Sequence, residues 1–459
     1  MDQNHLGKFL KLNSLEYPLI EYQLFNFSKE SLKQILLSSK CGEIINGKEF
    51  KNRPPTTDLL NTKHIYPLAC LYKKAKPKIK SENNIYHWKQ EKIKKNIDIL
   101  SNAYMTLSIL NLAEYYDKII YNEKKRNDIV KFYVSCAKYQ LNYYLNNFRN
   151  ELGLFVNKIT LDDNKNKDHN ITFSSSDSSF EFSAQAYLMV CFYKCSVFLK
   201  DTSPYKLPFL NFSKEIENMF IEFKNDILNY PNKKSIELLQ ALILYINVDN
   251  CTNTAIISLS LDIVENFFSK YSLSSISTYN KFLLYNVLIE LKSSVLKQNN
   301  DAFSEQKKLI SEYIWDLDEI FLDKNLCKNE IIDTYDIIAY ELYLLKFNKH
   351  ESLKFYNDVL IPSKIFSSFP NIPKNYESEK YFQFNYKAEN IIPDKYFKPS
   401  LYKTMSECNL TPIICKNIHF LQDKHKFSKP KVKFDSRINM RLIYLMISTL
   451  KNIIIKATK

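Results

Sequence analysis

Glycine is nearly missing from this chain: Gly7, Gly42, Gly47 and Gly153 are the whole complement of 459 residues. A Walker loop or a dinucleotide fingerprint needs several closely spaced glycines, so that backbone N–H groups can approach phosphate. No pair here has that spacing, which excludes nucleotide binding through such a loop. Architectures rich in tight β-turns are excluded by the same scarcity, because hairpin turns need residues that tolerate positive φ. Tryptophan is scarcer still, with Trp88 and Trp315 alone.

Other patterns are lacking too. The nine cysteines include no CxxC, are odd in number and are irregularly spaced. They read as reduced thiols, small hydrophobes in an expected cytoplasmic setting. The seven histidines form no HxH, HExxH or ExxH spacing. The one local Cys/His group, Cys408, Cys415, His419 and His425, opens with a gap too long for a zinc finger. No metal site and no cofactor is expected. The N-terminus carries no basic segment followed by an apolar run, and no stretch reaches the roughly 20 apolar residues of a membrane span. The nearest, Ile438–Ile455, is broken by Arg441 and Lys451.

What is present is helical periodicity. Apolar residues at three-or-four spacing predict helices over 89–121, 126–148, 181–200, 213–229, 233–248, 253–270, 276–298, 301–322, 329–347 and 350–361. Ser213, Asp301 and Asn329 read as start signals, and Pro204, Pro208 and Pro231 as breaks between helices. Gly153 reads as the C′ residue closing a long helix. Shorter helices are expected near 29–39 and 57–72, and the lysine-rich stretch 73–95 as a solvated connection leading into helix. Residues 154–161 suggest one short strand, and 162–179 a long polar loop.

After Ser363 the texture changes. Residues 363–459 hold 18 Lys+Arg against 7 Asp+Glu, whereas 1–362 are close to neutral with 46 against 43. Pro370, Pro373, Pro393, Pro399, Pro412 and Pro430 preclude long helices there, and 381–392 alternates as a strand would. Asp435 or Ser436 then caps a last helix running to about Ala457. The expected organisation is an N-terminal extension (1–88), a helical-hairpin body (89–362) and a basic, aromatic, Pro-rich segment (363–459) belonging to the same domain.

The fold class is therefore all-α, built of antiparallel helical hairpins. The segment NNFRNELGLF ending at Phe155, followed after a loop by the apolar SSFEFSAQAYLMVCFYK, resembles the six-hairpin (α/α) toroid proteins, a group rich in glycan-processing enzymes. The resemblance implies that the array closes into a ring, with an open α-solenoid as the alternative closure. It also implies that polar residues at the starts of inner helices line the ring's mouth. Glu181 is the candidate there, with Asp162 or Asp163 as the second carboxylate that a glycosidase needs. The few Gly and Trp residues depart from the rim loops and sugar platforms of such enzymes.

Two other groups stand out by charge. Glu330, Asp333 and Asp336 step by three, as residues sharing one helix face do. Lys424, Lys426, Lys429, Lys431, Lys433, Arg437 and Arg441, interleaved with Phe420, Phe427 and Phe434, form a polyanion-binding candidate. Three roles are expected, in this order. The first is a binding or scaffold protein using a concave helical face for a macromolecular or glycan partner. The second is a toroid-type glycan-processing enzyme using paired carboxylates. The third is a nucleic-acid or anionic-membrane binder acting through the basic segment.

Overall fold

Apolar spacing decides the elements, and in the computed structural model it yields an all-α chain with short strand pairs at its margins. The structure describes residues 17–37, 43–45, 66–68, 79–82, 85–88, 96–120, 123–160, 173–175, 180–230, 232–249, 253–297, 304–322, 331–363, 365, 417–421, 426–428 and 435–457. The helices are α1 (Tyr17–Leu37), α2 (Ile99–Ile119), α3 (Glu123–Asn147), α4 (Phe182–Phe198), α5 (Lys206–Glu222), α6 (Lys224–Leu228) and α7 (Asn232–Val248). They continue with α8 (Thr254–Lys270), α9 (Thr278–Lys297), α10 (Ser304–Leu322), α11 (Thr334–Phe347), α12 (Lys349–Phe355) and α13 (Ser436–Ala457). Two compact units result, one of residues 1–178 and 344–459, the other of residues 179–343.

In the first unit α2 is the central helix. Every residue from Ile99 to Tyr116 except Glu114 is buried, as expected of a helix that is apolar almost all round. Helix α3 folds back on it as a hairpin, with Thr106 bonded to Gln140 at 2.9 Å and Tyr116 stacked on Tyr133. Helix α13 lies beside α2 in the same direction. Arg437 faces Asp98 at 3.5 Å, Tyr444 stacks on Tyr104 at 5.1 Å, and Lys451 meets Glu114 at 2.7 Å, so the two numberings rise together. Asp435 caps α13 by accepting the Ile438 N–H at 3.2 Å, as its sequence position suggests. Ser436–Lys456 is long and apolar enough to cross a membrane, with mean hydropathy 1.3, but 67% of that window is buried by the rest of the protein, as a core helix would be.

Helix α1 meets α12 at a buried acid. The Glu21 carboxylate is 1% exposed and meets Lys349 at 3.1 Å. Burial pushes its pKa above the ordinary 4.5, and Lys349 pulls the other way without prevailing. Protonated Glu21 therefore stabilises the fold. That contribution is complete below the unfolded pKa and is lost as pH rises through the higher folded value. Wild type should accordingly gain stability relative to Glu21→Gln as pH falls from 7 towards 5. Urea midpoints at the two pH values check this, and a difference that stays flat or shrinks contradicts it.

The second unit alternates two kinds of helix. Helix α4 is buried from Phe182 to Ser196 except at Tyr193, whereas α5 buries one face only, with Phe209, Ser213, Ile216, Glu217 and Phe220. Antiparallel packing of α4 on α5 follows from Phe192 against Phe209, the Ser213 hydroxyl on the Met189 carbonyl at 3.0 Å, and Phe182 against Phe220. The more deeply buried helices run parallel to one another in pairs. Tyr187 donates to Gln240 at 2.6 Å and Tyr193 to Asp249 at 2.7 Å, which makes α4 and α7 parallel. Tyr279 meets Tyr335, and Tyr285 meets Tyr343, which does the same for α9 and α11. The intervening α8 and α10 are half-exposed, and Phe268 of α8 stacks on Tyr313 of α10 at 3.6 Å.

Several boundaries differ from expectation. Tyr66–Leu68, expected in a helix, is a strand paired antiparallel with Glu43–Ile45. Within the lysine-rich stretch, Ile79–Glu82 and Ile85–Trp88 pair as an antiparallel ladder. There Ile79, Ile85, Tyr86 and Trp88 supply the β-branched and aromatic residues that strands favour. Asn96–Ile97 is also a strand, joined with Lys158–Thr160 and Phe173–Ser175, so the long helix begins at Ile99 rather than near Lys89. Helix α5 begins seven residues before Ser213, and Pro208 sits in its first turn, where a missing N–H costs nothing. Gly153 is not a helix C′ residue. It lies six residues past α3 at φ 79 in a turn where its N–H meets the Asn150 carbonyl, and a Cβ would come within 2.6 Å of the Arg149 guanidinium. The strand expected at 381–392 lies outside the described residues.

Candidate functional site

Parallel helices bring like ends together, so the starts of α4 and α7 lie side by side. Glu181 is the residue before α4, with extended backbone (φ −113, ψ 124) and no side-chain capping bond. Its carbonyl accepts the N–H groups of Ala184 and Gln185, and its carboxylate is left to face α7. There Lys234, third residue of α7, places its ammonium 3.6 Å from Glu181 Oε1 and 5.6 Å from the centre of the Tyr230 ring. Tyr230 packs edge-on against Phe182, which packs edge-on against Phe180. Burial pushes the Tyr230 phenol up to about 12, and the charges of Glu181 and Glu237 act on it in the same direction. The start of α4 and α7 is thus an aromatic group with two carboxylates and one amine around a phenol. Lys234 is 43% exposed and Glu181 20%, so these two are accessible from solvent, whereas Glu237 is buried.

The starts of α9 and α11 carry a second charged group. Asp336 Oδ1 accepts the Tyr279 N–H at 2.6 Å and so caps α9 from the neighbouring helix. Asp333 Oδ1 accepts the Tyr335 N–H at 3.0 Å. Lys281, in the first turn of α9, has its pKa lowered by burial against an opposing pull from Asp336.

A third polar cluster, at the far ends of α4 and α7, is structural. Both Glu217 oxygens are bonded, one to the Tyr245 hydroxyl and the other to the Asn253 amide. Asn253 in turn accepts the Ile256 N–H at 3.0 Å, capping α8. Tyr193 donates to Asp249 and packs edge-on against Tyr245. Burial first, then these carboxylates, raise both phenols above the usual tyrosine value. These bonds join α5 to α7 and the start of α8, and α4 to the end of α7.

Of the residues singled out in the sequence, Glu181 is placed at the start of a buried helix. Asp162 and Asp163 lie outside the described residues, as do Glu330, Lys424, Lys429, Lys431, Lys433, Phe434, Cys408, Cys415 and His425. Asp333 and Asp336 do not share a helix face, because Asp333 ends the strand Ile331–Asp333 and α11 starts only at Thr334. Lys426 falls in the strand Lys426–Phe427, its side chain outside the described residues, and His419 falls in the strand Asn417–Leu421. Arg437 is paired with buried Asp98, and Arg441 is half-buried in α13. Cys136, Cys191 and Cys195 are buried and in no disulfide. Among the described residues no group of His, Cys, Asp and Glu has the geometry to hold a metal ion.

Sequence reasoning missed Tyr230, Lys234 and Glu237. One signal was available: a lysine in the first helical turn runs against the helix dipole, and Asn232-Lys233-Lys234 opens α7 with two of them. No family model matches this chain, and no curated protein or solved structure matches it either.

Proposed function

We propose that this chain is a binding protein whose ligand docks at the starts of α4 and α7, in a helical-hairpin array of the (α/α) toroid type. The toroid reading is supported by the alternation of deeply buried helices, parallel in pairs, with half-exposed ones. The binding reading rests on one observation above the rest: Glu181, Lys234 and Tyr230 converge, partly exposed, with the ion pair only loosely closed at 3.6 Å. A polar ligand can take over that pair at little cost, because an exposed pair contributes about 0–1 kcal/mol. The aromatic residues beside it suit a ligand with an apolar face. Thermal-shift measurements with neutral cello-, xylo- and chito-oligosaccharides and with heparin test this reading. One class should raise the midpoint of wild type, and the rise should disappear in Lys234→Ala and Tyr230→Ala. A shift unaffected by both substitutions places the ligand elsewhere.

Glycan processing is the second reading, favoured by two carboxylates, Glu181 and Glu237, whose charges both act on the Tyr230 phenol. It requires release of reducing sugar that stops in Glu181→Gln. Polyanion binding by the basic segment rests on sequence alone. Pairing of Arg437 with Asp98 and of Lys451 with Glu114 withdraws two of that segment's cations.

A further inference from the structure

Among the basic residues at first-turn positions that a helix dipole disfavours are Arg437 in α13, Lys234 in α7 and Lys281 in α9. Two of them have acid partners, Arg437 with Asp98 at 3.5 Å and Lys234 with Glu181 at 3.6 Å. Lys281 differs. It is 8% exposed, and its ammonium makes no hydrogen bond or ion pair among the described residues. Asp336 is the charge that acts on it, but Asp336 Oδ1 is engaged by the Tyr279 N–H, and Asp333 Oδ1 by the Tyr335 N–H. A buried cation with no direct bond is costly, and proteins normally supply one. This cation also lies where two parallel helices, α9 and α11, both begin, so the positive ends of their dipoles reinforce it. Tyr279–Tyr335 contact at 4.9 Å spaces the two helices by the width of their rings.

We propose that Lys281 is the receptor for a small oxyanion, the carboxylate or phosphate group of a ligand, seated between the starts of α9 and α11. The anion supplies the direct partner that Lys281 lacks among the described residues, while Asp333 and Asp336 remain as caps. The site uses none of the residues at the starts of α4 and α7, so it stands or falls separately from the binding role proposed above.

The experiment is trace acetylation of the full-length wild-type chain with acetic anhydride, reading the Lys281 peptide by mass spectrometry across pH. Sodium acetate and inorganic phosphate are each compared with sodium chloride at equal ionic strength. A bound anion holds Lys281 protonated, so its labelling should slow by about tenfold near neutral pH, equivalent to one pKa unit. Labelling of exposed Lys214 should not change. Protection by either anion supports the site and identifies which one it prefers; protection by neither overturns it. Lys281→Met should also lose any anion-induced rise in thermal midpoint that Lys281→Arg keeps. Should the methionine variant fail to fold, the wild-type labelling still decides.

Discussion

Tyr104→Ala should lower the unfolding free energy by about 3–5 kcal/mol, the range for removing a large aromatic from a closed core. Tyr104 is 1% exposed, lies in the second turn of α2 and stacks on Tyr444 of the parallel α13. Its surroundings cannot collapse into the gap, because α2 is packed on all sides and is tied to α13 both before and after this point, by Asp98–Arg437 and by Glu114–Lys451. Against a typical total of about 5–15 kcal/mol, such a loss is a large fraction. Urea denaturation reads it directly, with Tyr104→Phe as the control that keeps the stacked ring and should lose less than about 1.5 kcal/mol. A loss below about 1 kcal/mol in the alanine variant would remove α2 from the centre of its unit.

Glu217→Leu should cost about 2–4 kcal/mol in the other unit, since it strands a buried hydroxyl and a partly buried amide at once. Tyr245 is fully buried and its hydroxyl has Glu217 as acceptor, and the Asn253 amide donates to the other oxygen. Leucine fills much of the volume, so the loss reports the unsatisfied groups rather than a cavity. Adding Tyr245→Phe removes one stranded hydroxyl, and the double variant should therefore recover about 1 kcal/mol. A strictly additive pair would mean that the carboxylate is not what holds α5 to α7. In Glu217→Gln, an alkaline titration should also find a tyrosine ionising at lower pH than in wild type, because the Glu217 charge, one of the causes of the raised Tyr245 value after burial, is removed.

The two clusters also illustrate why only part of the site was legible beforehand. Glu181 could be placed at a helix start because FSAQAYLMVCFYK is apolar enough to demand burial and the acid directly precedes it. Lys234 and Glu237 could not be placed with it, since their pairing depends on α4 and α7 running parallel, a relation between residues more than fifty positions apart. The acidic series Glu330, Asp333 and Asp336 misled for a related reason. Its spacing of three fits a helix, but Ile331–Asp333 is extended, and only tertiary context overrides such local periodicity. The Ile79–Trp88 ladder shows the same override in the opposite direction, a strand pair inside a run that lysine content made look like a solvated connection.

By itself the sequence determined the all-α class, the approximate position of most helices and the capping of α13 by Asp435, because these follow from apolar periodicity and from side chains acting within one turn. Tertiary structure decided which helices are buried on every side, that they run parallel in pairs, and that the starts of such pairs carry opposed charges. Those facts arise from long-range packing, in which a carboxylate and an ammonium meet only after the helices between them have folded back, and no local pattern encodes that meeting.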